Sequence, residues 1–336
     1  MSFLELPPLG PDPIGQFLAF ALPDVPLLPF VGTLLAVAYI TGWVRLRLKG
    51  RRWPMWRGAL FLAGCLLVFL TTATGVDRYG TELFSVFMFQ QLTLMMAIPP
   101  LLVLGSPGTL LLRSVPRSGP GSLIGGIAIW GLRSRVTRLL LHPGFMIPLF
   151  LFTFYGIYLS PLGSTVLSAP AGHVWLELAF LAAGVLFTIP LISADPLPVR
   201  QSHLGRMLDL FAEMPLHAFF GVIVMMAVTP LVPYFGARDN ALGVDPVADQ
   251  QIAGALAWSY GELPTLLIAL VLLARWYADD TRRSKARDVR VDRDGDPELT
   301  DYNEYLLRLQ ERDTRTHSIG DQRRPQPEKG GADAAQ

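Results

Sequence analysis

Long apolar stretches are the feature of this sequence that most restricts how the chain can fold. A hydrocarbon core of about 30 Å is crossed by a helix of about 20 apolar residues. Seven stretches have that length and character: 26–44, 55–74, 83–104, 144–161, 173–192, 206–228 and 253–275. They predict an all-α integral membrane protein built as a bundle of seven transmembrane helices.

The composition agrees with a membrane protein and excludes several other classes. Charged residues make up only 16% of the chain, against about 25% in soluble domains. The net charge of +1 gives no reason to expect a nucleic-acid partner. A single cysteine excludes a disulfide framework and a metal site made of paired cysteines.

Basic residues between the stretches predict the topology, because basic loops resist translocation across the membrane. The loops after the first, third and fifth stretches hold thirteen Lys and Arg residues, whereas the alternate loops hold two, Arg78 and Arg238. This asymmetry predicts an N-terminus outside the cell and a C-terminal tail in the cytoplasm.

Three regions follow from this division. Residues 1–25 form a Pro-rich extracytoplasmic leader, residues 26–278 form the membrane domain, and residues 279–336 form a polar cytoplasmic tail. The tail carries twelve of the 28 Lys and Arg residues.

One segment of the tail has a helical pattern. Apolar side chains recur at i, i+3, i+4 and i+7, which predicts a short amphipathic helix near 297–312; they are Tyr302, Tyr305, Leu306 and Leu309. Such a helix either rests on the membrane and the protein's own loops or docks a partner. We predict that the chain is disordered beyond about residue 314 because it is polar there.

Ionisable groups inside a bilayer are costly, so each one needs a partner or a function. His173 and Glu177 share one face of the fifth stretch, Glu213 and His217 share one face of the sixth, and Glu262 lies midway along the seventh. On the third stretch, Met88 and Gln91 share a face because they are three residues apart.

These residue types suggest copper, because imidazole and thioether groups are suitable copper ligands and thioethers favour Cu(I). The candidate copper ligands are His217, His173 and Met88, with Glu177, Glu213, Gln91 and Glu262 as supporting polar groups. Two structural readings stay open. The methionines on one face can simply be packing, and each His–Glu pair can be a hydrogen-bonded structural pair.

The sequence lacks the common enzymatic patterns. It contains no phosphate-binding Gly-rich loop, no His-Glu-x-x-His motif and no nucleophile elbow. Among its five histidines, only His173 and His217 could pair across a haem, and they are predicted at different depths. We therefore expect a protein that is not an enzyme.

Several segments together, in order, resemble the CtaG family of caa-type cytochrome c oxidase assembly factors. They are FMFQQLTLMMAIPPLLVLGSPGTLLLR at 87–113, LLLHPG at 139–144, AGHVWLELAFLAAGVLFTIPLI at 171–192, ADPLP at 194–198, FAEMPLHAFFGVIVMM at 211–226, ADQQIAGALAWSYGELP at 248–264 and DRDGDPELTDYNEYLLRL at 292–309. The tail segment resembles the version found in high-GC Gram-positive bacteria, which is often fused to a CopD-like domain, and we expect this chain to be the type without that fusion.

The resemblance implies a multi-pass protein of a bacterial cell membrane that assists copper delivery or insertion into a haem–copper oxidase, with oxidase subunits as partners. It also adds Asp249 to the supporting polar residues. The family commonly has histidines at the positions of Phe87 and Gln91, and often one at the position of Leu178. Two alternatives therefore stay open: a divergent scaffold without metal, and a transporter that uses Glu213, His217 and Glu262 as a relay.

Overall fold

The computed structural model describes residues 13–115, 120–197, 201–236, 242–294 and 297–322. Those residues are mostly helical and form no strand, apart from one isolated bridge between Phe20 and Thr74. The prediction of an all-α protein is confirmed.

Eight helices are numbered here, and the shorter ones keep their residue ranges. They are α1 Leu27–Leu48, α2 Met55–Thr72, α3 84–104, α4 Pro143–Gly156, α5 Gly172–Ile192, α6 His203–Met226, α7 Pro246–Asp294 and α8 Pro297–Gln322. The short helices are Pro13–Leu18, Gly75–Gly80, Pro107–Ser114, Pro120–Arg133, Arg135–Leu140, Leu162–Leu167 and Pro233–Gly236.

Six helices in the described part of the chain are long and apolar enough to cross a membrane: α1, α2, α3 with the helix that follows it, α5, α6 and α7. On α1, large apolar side chains such as Phe30, Leu34 and Val37 are exposed. Exposed apolar side chains on a long helix are suited to lipid rather than to water. The prediction of a multi-pass membrane protein is therefore confirmed.

The predicted fourth stretch, 144–161, forms the shorter helix α4. It continues from Pro143–Leu151 into a π-helical turn, Phe152–Gly156. It packs against α5 and α6, and its side chains Met146, Phe150 and Phe154 belong to the buried core. The count of seven spans and the orientation of the termini stay predictions.

Helix α3 is buried among its neighbours and is not a regular α-helix throughout. It runs from Phe84–Leu92 through a π-helical turn, Thr93–Ala97, into Ile98–Leu104. Gly184 of α5 packs directly against the backbone carbonyl of Met95 in that turn. A side chain at residue 184 would separate α5 from α3, so the glycine permits this close approach.

Helices α6 and α7 also cross at glycines. A Cβ atom at Gly221 would lie 2.6 Å from the backbone nitrogen of Trp258. Gly254 makes the reciprocal contact with the backbone nitrogen of Met225. Small residues of this kind let the backbones of two membrane helices touch.

A half-buried carboxylate connects the end of α5 to the short helix after α3. Asp195 accepts hydrogen bonds from the backbone nitrogens of Gly108 (3.1 Å) and Thr109 (2.7 Å), and from the Thr109 hydroxyl (2.5 Å). Those nitrogens belong to the first turn of the helix Pro107–Ser114, where backbone N–H groups have no partner within the helix. The Ala-Asp-Pro segment after α5 thus caps another helix.

The described part of the leader contacts the short helix Gly75–Gly80. The hydroxyl of Tyr79 donates a 2.9 Å hydrogen bond to Gln16 Oε1. The ring of Phe17 lies 4.9 Å from the ring of Tyr79. The extracytoplasmic location of the leader stays a prediction.

The chain divides after Ala274 into two compact units. The second unit contains the end of α7 and α8, and the predicted amphipathic segment 297–312 lies inside α8. Its residues Tyr302, Tyr305, Leu306 and Leu309 are exposed. The helix continues to Gln322, residues 323–336 lie outside the described part, and the disorder expected beyond residue 314 stays a prediction.

Candidate functional site

Four polar side chains meet between α3, α5 and the short helix that precedes α3. We call Asp77, Gln90, His173 and Glu177 the carboxylate–histidine cluster. His173 Nε2 lies 3.2 Å from Asp77 Oδ1 and 3.7 Å from Glu177 Oε1. Gln90 Nε2 lies within hydrogen-bond distance of three acceptors: Asp77 Oδ1 (3.1 Å), Glu177 Oε1 (2.5 Å) and the carbonyl oxygen of Thr71 (2.9 Å). Asp77, Gln90 and Glu177 are buried.

Local structure explains how these groups meet. Thr74 caps the short helix Gly75–Gly80, because its side chain accepts a hydrogen bond from the nitrogen of Val76. Asp77 follows three residues after that cap, in the first turn of the short helix. His173 and Glu177 are four residues apart and therefore lie on one face of α5.

The imidazole of His173 lies at the edge of the cluster. Its side chain is 13% exposed, whereas that of Glu177 is 3% exposed. Neither ring nitrogen forms a hydrogen bond with a described residue, despite the short distances to the two carboxylates. Phe87 of α3 covers one side of the ring, with 5.4 Å between the ring centroids.

A second histidine–carboxylate pair lies within α6. His217 is fully buried, and its Nδ1 lies 3.6 Å from Oε1 of Glu213, one helical turn away. Both ring nitrogens of His217, and Glu213 Oε1, lack a hydrogen-bond partner among the described residues. Half-buried Glu262 of α7 is close enough to interact electrostatically with both side chains.

Two methionine side chains lie near this pair. A Cβ atom at Gly261 would lie 2.5 Å from His217 Nε2 and 3.1 Å from the terminal methyl of Met96, so both groups face the same glycine. A cavity of about 10 Å³ adjoins them and is lined by Met95, Met96, Phe150, Phe187, Thr188, Glu213, Pro264, Thr265 and Ile268. That volume is close to the least that holds one water molecule.

Two residues of α3 that the sequence singled out lie in the buried core. Met88 is fully buried in the apolar core. Gln91 is 1% exposed, and neither its amide oxygen nor its amide nitrogen has a hydrogen-bond partner among the described residues. A buried amide without partners is costly, so Gln91 is a polar group that packing alone does not explain.

Asp249 and Gln250 have structural contacts. Asp249 accepts hydrogen bonds from the backbone nitrogens of Phe84 (2.6 Å) and Ser85 (3.3 Å), the first two residues of α3. Gln250 accepts a 2.7 Å hydrogen bond from the nitrogen of Leu231. These two residues of α7 therefore hold the start of α3 and the segment that follows α6.

Sequence reasoning did not select Asp77, Gln90 or Met96 as site residues. Asp77 follows Thr74 by three residues, a spacing that signals a helix cap but not a site. Gln90 and Met96 are one residue away from Gln91 and Met95, and a shift of one residue turns a helical side chain by about 100°. The π-helical turn Thr93–Ala97 changes that rotation for Met96, which lies within it. No periodic pattern in the sequence would have indicated this turn.

A separate cavity of about 580 Å³ lies between α2, α3 and α7. It is lined almost entirely by apolar side chains, among them Leu60, Leu101 and Leu267. Such a lining suits hydrocarbon chains and offers no ligand for a metal ion.

Comparison with known proteins decides the family. Residues 37–279 match the cytochrome c oxidase caa3 assembly factor family, Caa3_CtaG. The chain belongs to this family. The match covers α2 to α6 completely, together with most of α1 and the apolar part of α7. The resemblance to CtaG proteins is therefore confirmed, and membership of an assembly-factor family favours a role other than catalysis.

Curated relatives of this Caa3_CtaG protein occur in mycobacteria. Uncharacterized proteins of Mycobacterium bovis and Mycobacterium tuberculosis are each 37% identical to it over 310 residues, and one of Mycobacterium leprae is 36% identical. The alignments cover 87% of this chain and 47% of each relative, so the chain spans about half the length of the relatives it matches. No solved structure matches the chain significantly.

Proposed function

We propose that this protein assists the maturation of a haem–copper oxidase in a bacterial cell membrane by carrying copper to it. Membership of the caa3 assembly-factor family supports the assembly role. The six apolar helices support action within the bilayer. The copper role is the finer part of the proposal, and it depends on the buried histidines.

The observation that carries the copper role is the environment of His217. An imidazole with no exposed surface, whose ring nitrogens have no hydrogen-bond partner of good geometry among the described residues, is expensive in a membrane. A copper ion would satisfy a nitrogen lone pair, and the sulfur of Met96 would supply a second soft ligand from α3. Glu213 would compensate the charge of the ion. These donors suit Cu(I), because thioether and imidazole ligands favour it.

His173 and Met88 stay in the proposal as candidate ligands. His173 lies in the carboxylate–histidine cluster, among oxygen donors rather than thioethers. Met88 offers a buried sulfur on α3. Copper at His173 would have oxygen ligands beside the imidazole, whereas copper at His217 would have a sulfur ligand, so the site at His217 would favour Cu(I) more strongly.

The direct test is the copper content of the purified protein loaded with Cu(I). We expect His217→Ala to lose at least half of the bound copper, while the matched variant His142→Ala, which removes an exposed histidine, keeps it. Melting temperatures of both variants report folding. Equal copper in the wild type and in a folded His217→Ala protein would contradict copper binding at this residue.

The assembly role is tested in cells. Deletion of the gene is expected to lower oxidase activity and the copper content of the oxidase without changing transcription of the oxidase genes. Added copper should restore part of the activity, because mass action favours uncatalysed loading. Normal oxidase activity and copper content in the deletion strain would contradict the assembly role.

A second candidate function is proton or ion transport through the relay predicted from the sequence. It is favoured by one observation, the electrostatic proximity of Glu262 to both Glu213 and His217. Reconstituted vesicles distinguish the two functions. A proton flux that is lost in Glu262→Gln would support transport, whereas an assembly factor is expected to give no flux.

A further inference from the structure

The carboxylate–histidine cluster has the donors of a metal site that differs from the one proposed at His217. Oxygen or nitrogen donor atoms of Asp77, His173 and Glu177 all lie within 4.8 Å of one another. Donor atoms that bind one ion at about 2.0–2.2 Å lie up to about 4 Å apart. Side-chain adjustments of less than 1 Å, roughly, would therefore bring these three donors to a single ion.

The two carboxylates of the cluster have few hydrogen-bond donors among the described residues, and the donor that they share is neutral. Gln90 Nε2 has three oxygen acceptors within 3.1 Å, belonging to Asp77, Glu177 and Thr71. An amide nitrogen carries only two hydrogens, so these contacts cannot all be full hydrogen bonds. Two carboxylates that share one neutral donor in a buried site would gain from a bound cation.

His173 and Gln90 both carry polar atoms without a hydrogen-bond partner among the described residues, and both lie beside Gly80. Neither ring nitrogen of His173 has a hydrogen-bond partner among the described residues, although Nε2 lies 3.2 Å from Asp77. Gln90 is 1% exposed, and its Oε1 is also unpaired. A Cβ atom at Gly80 would lie 2.9 Å from that oxygen and 3.5 Å from His173 Cε1, so the glycine lets the backbone of the short helix lie close to both groups.

We propose that Asp77, His173 and Glu177 form a binding site for a divalent transition-metal ion, with Cu²⁺ bound most tightly. Two carboxylates and one imidazole without a thioether suit divalent ions rather than Cu(I). Among divalent first-row ions, Cu²⁺ binds such donors most strongly, ahead of Zn²⁺ and Mn²⁺. The partly exposed ring of His173 gives the ion access to the site.

This inference rests on the proposed function in one respect, because that proposal already names His173 as a candidate copper ligand, but it requires neither a client oxidase nor Cu(I). The two sites also share no residue. Loss of one can therefore be separated from loss of the other.

Electron paramagnetic resonance tests the site directly, because Cu²⁺ is paramagnetic and couples to the nitrogens of a bound imidazole. The full chain, purified in detergent without a polyhistidine tag, is titrated with Cu²⁺. We expect one bound ion per chain with a single imidazole coupling, and tighter binding of Cu²⁺ than of Zn²⁺ in competition. A wild-type protein without such a signal would overturn the proposal, whatever the variants do.

Isosteric variants identify the ligands while they preserve the packing. Asp77→Asn and Glu177→Gln keep an oxygen acceptor for Gln90 but lose the charge, and His173→Ala removes the nitrogen. Each is expected to weaken Cu²⁺ binding at least tenfold, and the double carboxylate variant is expected to abolish it. Retained binding in a folded double variant would overturn the proposal.

Two control variants test whether the loss of Cu²⁺ binding is specific to the cluster. Asp24→Asn removes an exposed carboxylate outside the cluster, and His142→Ala removes an exposed histidine. Both are expected to keep the Cu²⁺ signal and its affinity within twofold. If His217→Ala, rather than His173→Ala, loses the imidazole coupling, the assignment of the site to the cluster is wrong.

Discussion

The carboxylate of Asp249 on α7 accepts a 2.6 Å hydrogen bond from the backbone nitrogen of Phe84, the first residue of α3. The nitrogens of a first helical turn have no partner within their own helix. A side chain from another helix supplies that partner here. The contact fixes the position of α7 along α3, where Gly261 of α7 lies against the Met96 side chain of α3.

This contact predicts a stability loss. Asp249→Ala should lower the free energy of unfolding by about 1.5–3 kcal/mol, because hydrogen bonds to a charged acceptor are lost in a buried place. Asp249→Asn keeps one oxygen acceptor and should cost less. The single cysteine, Cys65, is buried in α2, so its reaction with a fluorescent maleimide during heating measures unfolding in detergent.

The exposed carboxylate of Asp24 supplies the control for that measurement. Asp24→Ala should leave the reaction of Cys65 unchanged. An Asp249→Ala protein as stable as the wild type would show that water caps α3 equally well.

The crossing of α6 and α7 makes a second prediction. Gly254→Ala should destabilise the protein by about 1–3 kcal/mol, because the new methyl group would meet the backbone nitrogen of Met225. It should also reduce copper bound at His217, since the two helices must separate. The matched substitution Gly126→Ala meets no atom within 4 Å, so unchanged stability is expected there. A Gly254→Ala protein that melts with the wild type would refute the close crossing.

The third prediction concerns the sulfur atoms. Met96→Leu removes the thioether that faces Gly261 beside His217 but keeps nearly the same volume. We expect it to lower Cu(I) binding about tenfold with little change in melting temperature. Met88→Leu tests the ligand chosen from the sequence. Loss of copper binding in Met88→Leu but not in Met96→Leu would favour Met88 as the sulfur ligand.

The fourth prediction is topological and follows from the thirteen basic residues in one set of loops against two in the other. Asp24→Cys should react with an impermeant maleimide in intact cells, and Asp301→Cys should react only after lysis. Both positions are exposed, and the wild type with buried Cys65 gives the background. Labelling of residue 301 but not residue 24 in intact cells would reverse the orientation.

Much of the fold could be predicted because membrane helices are specified by length and hydropathy. Six of the seven stretches form long apolar helices at about the predicted positions. The fourth gives a shorter helix, Pro143–Gly156, which Pro143 begins and which contains a π-helical turn, Phe152–Gly156. Local composition does not reveal such an irregular turn.

The sites were predictable only in part. Spacing along one helix placed His173 beside Glu177 and Glu213 beside His217, and both pairs are four residues apart on one face. Spacing could not bring Asp77 to His173, because a short helix folds back between α2 and α3. It also gave no sign that Asp249 caps α3, a contact between residues 165 positions apart in the sequence.

The sequence by itself determined which segments are apolar enough for the membrane and which polar groups they carry, because hydropathy and helical period are local properties. The tertiary structure decided which of those groups meet. Gly184, Gly221 and Gly254 let α5 approach α3, and α6 approach α7, to backbone contact, and that packing brings Met96 and His217 to the same glycine, Gly261, and Gln90 to Glu177. Contacts of this kind depend on how whole helices pack, which no single segment specifies.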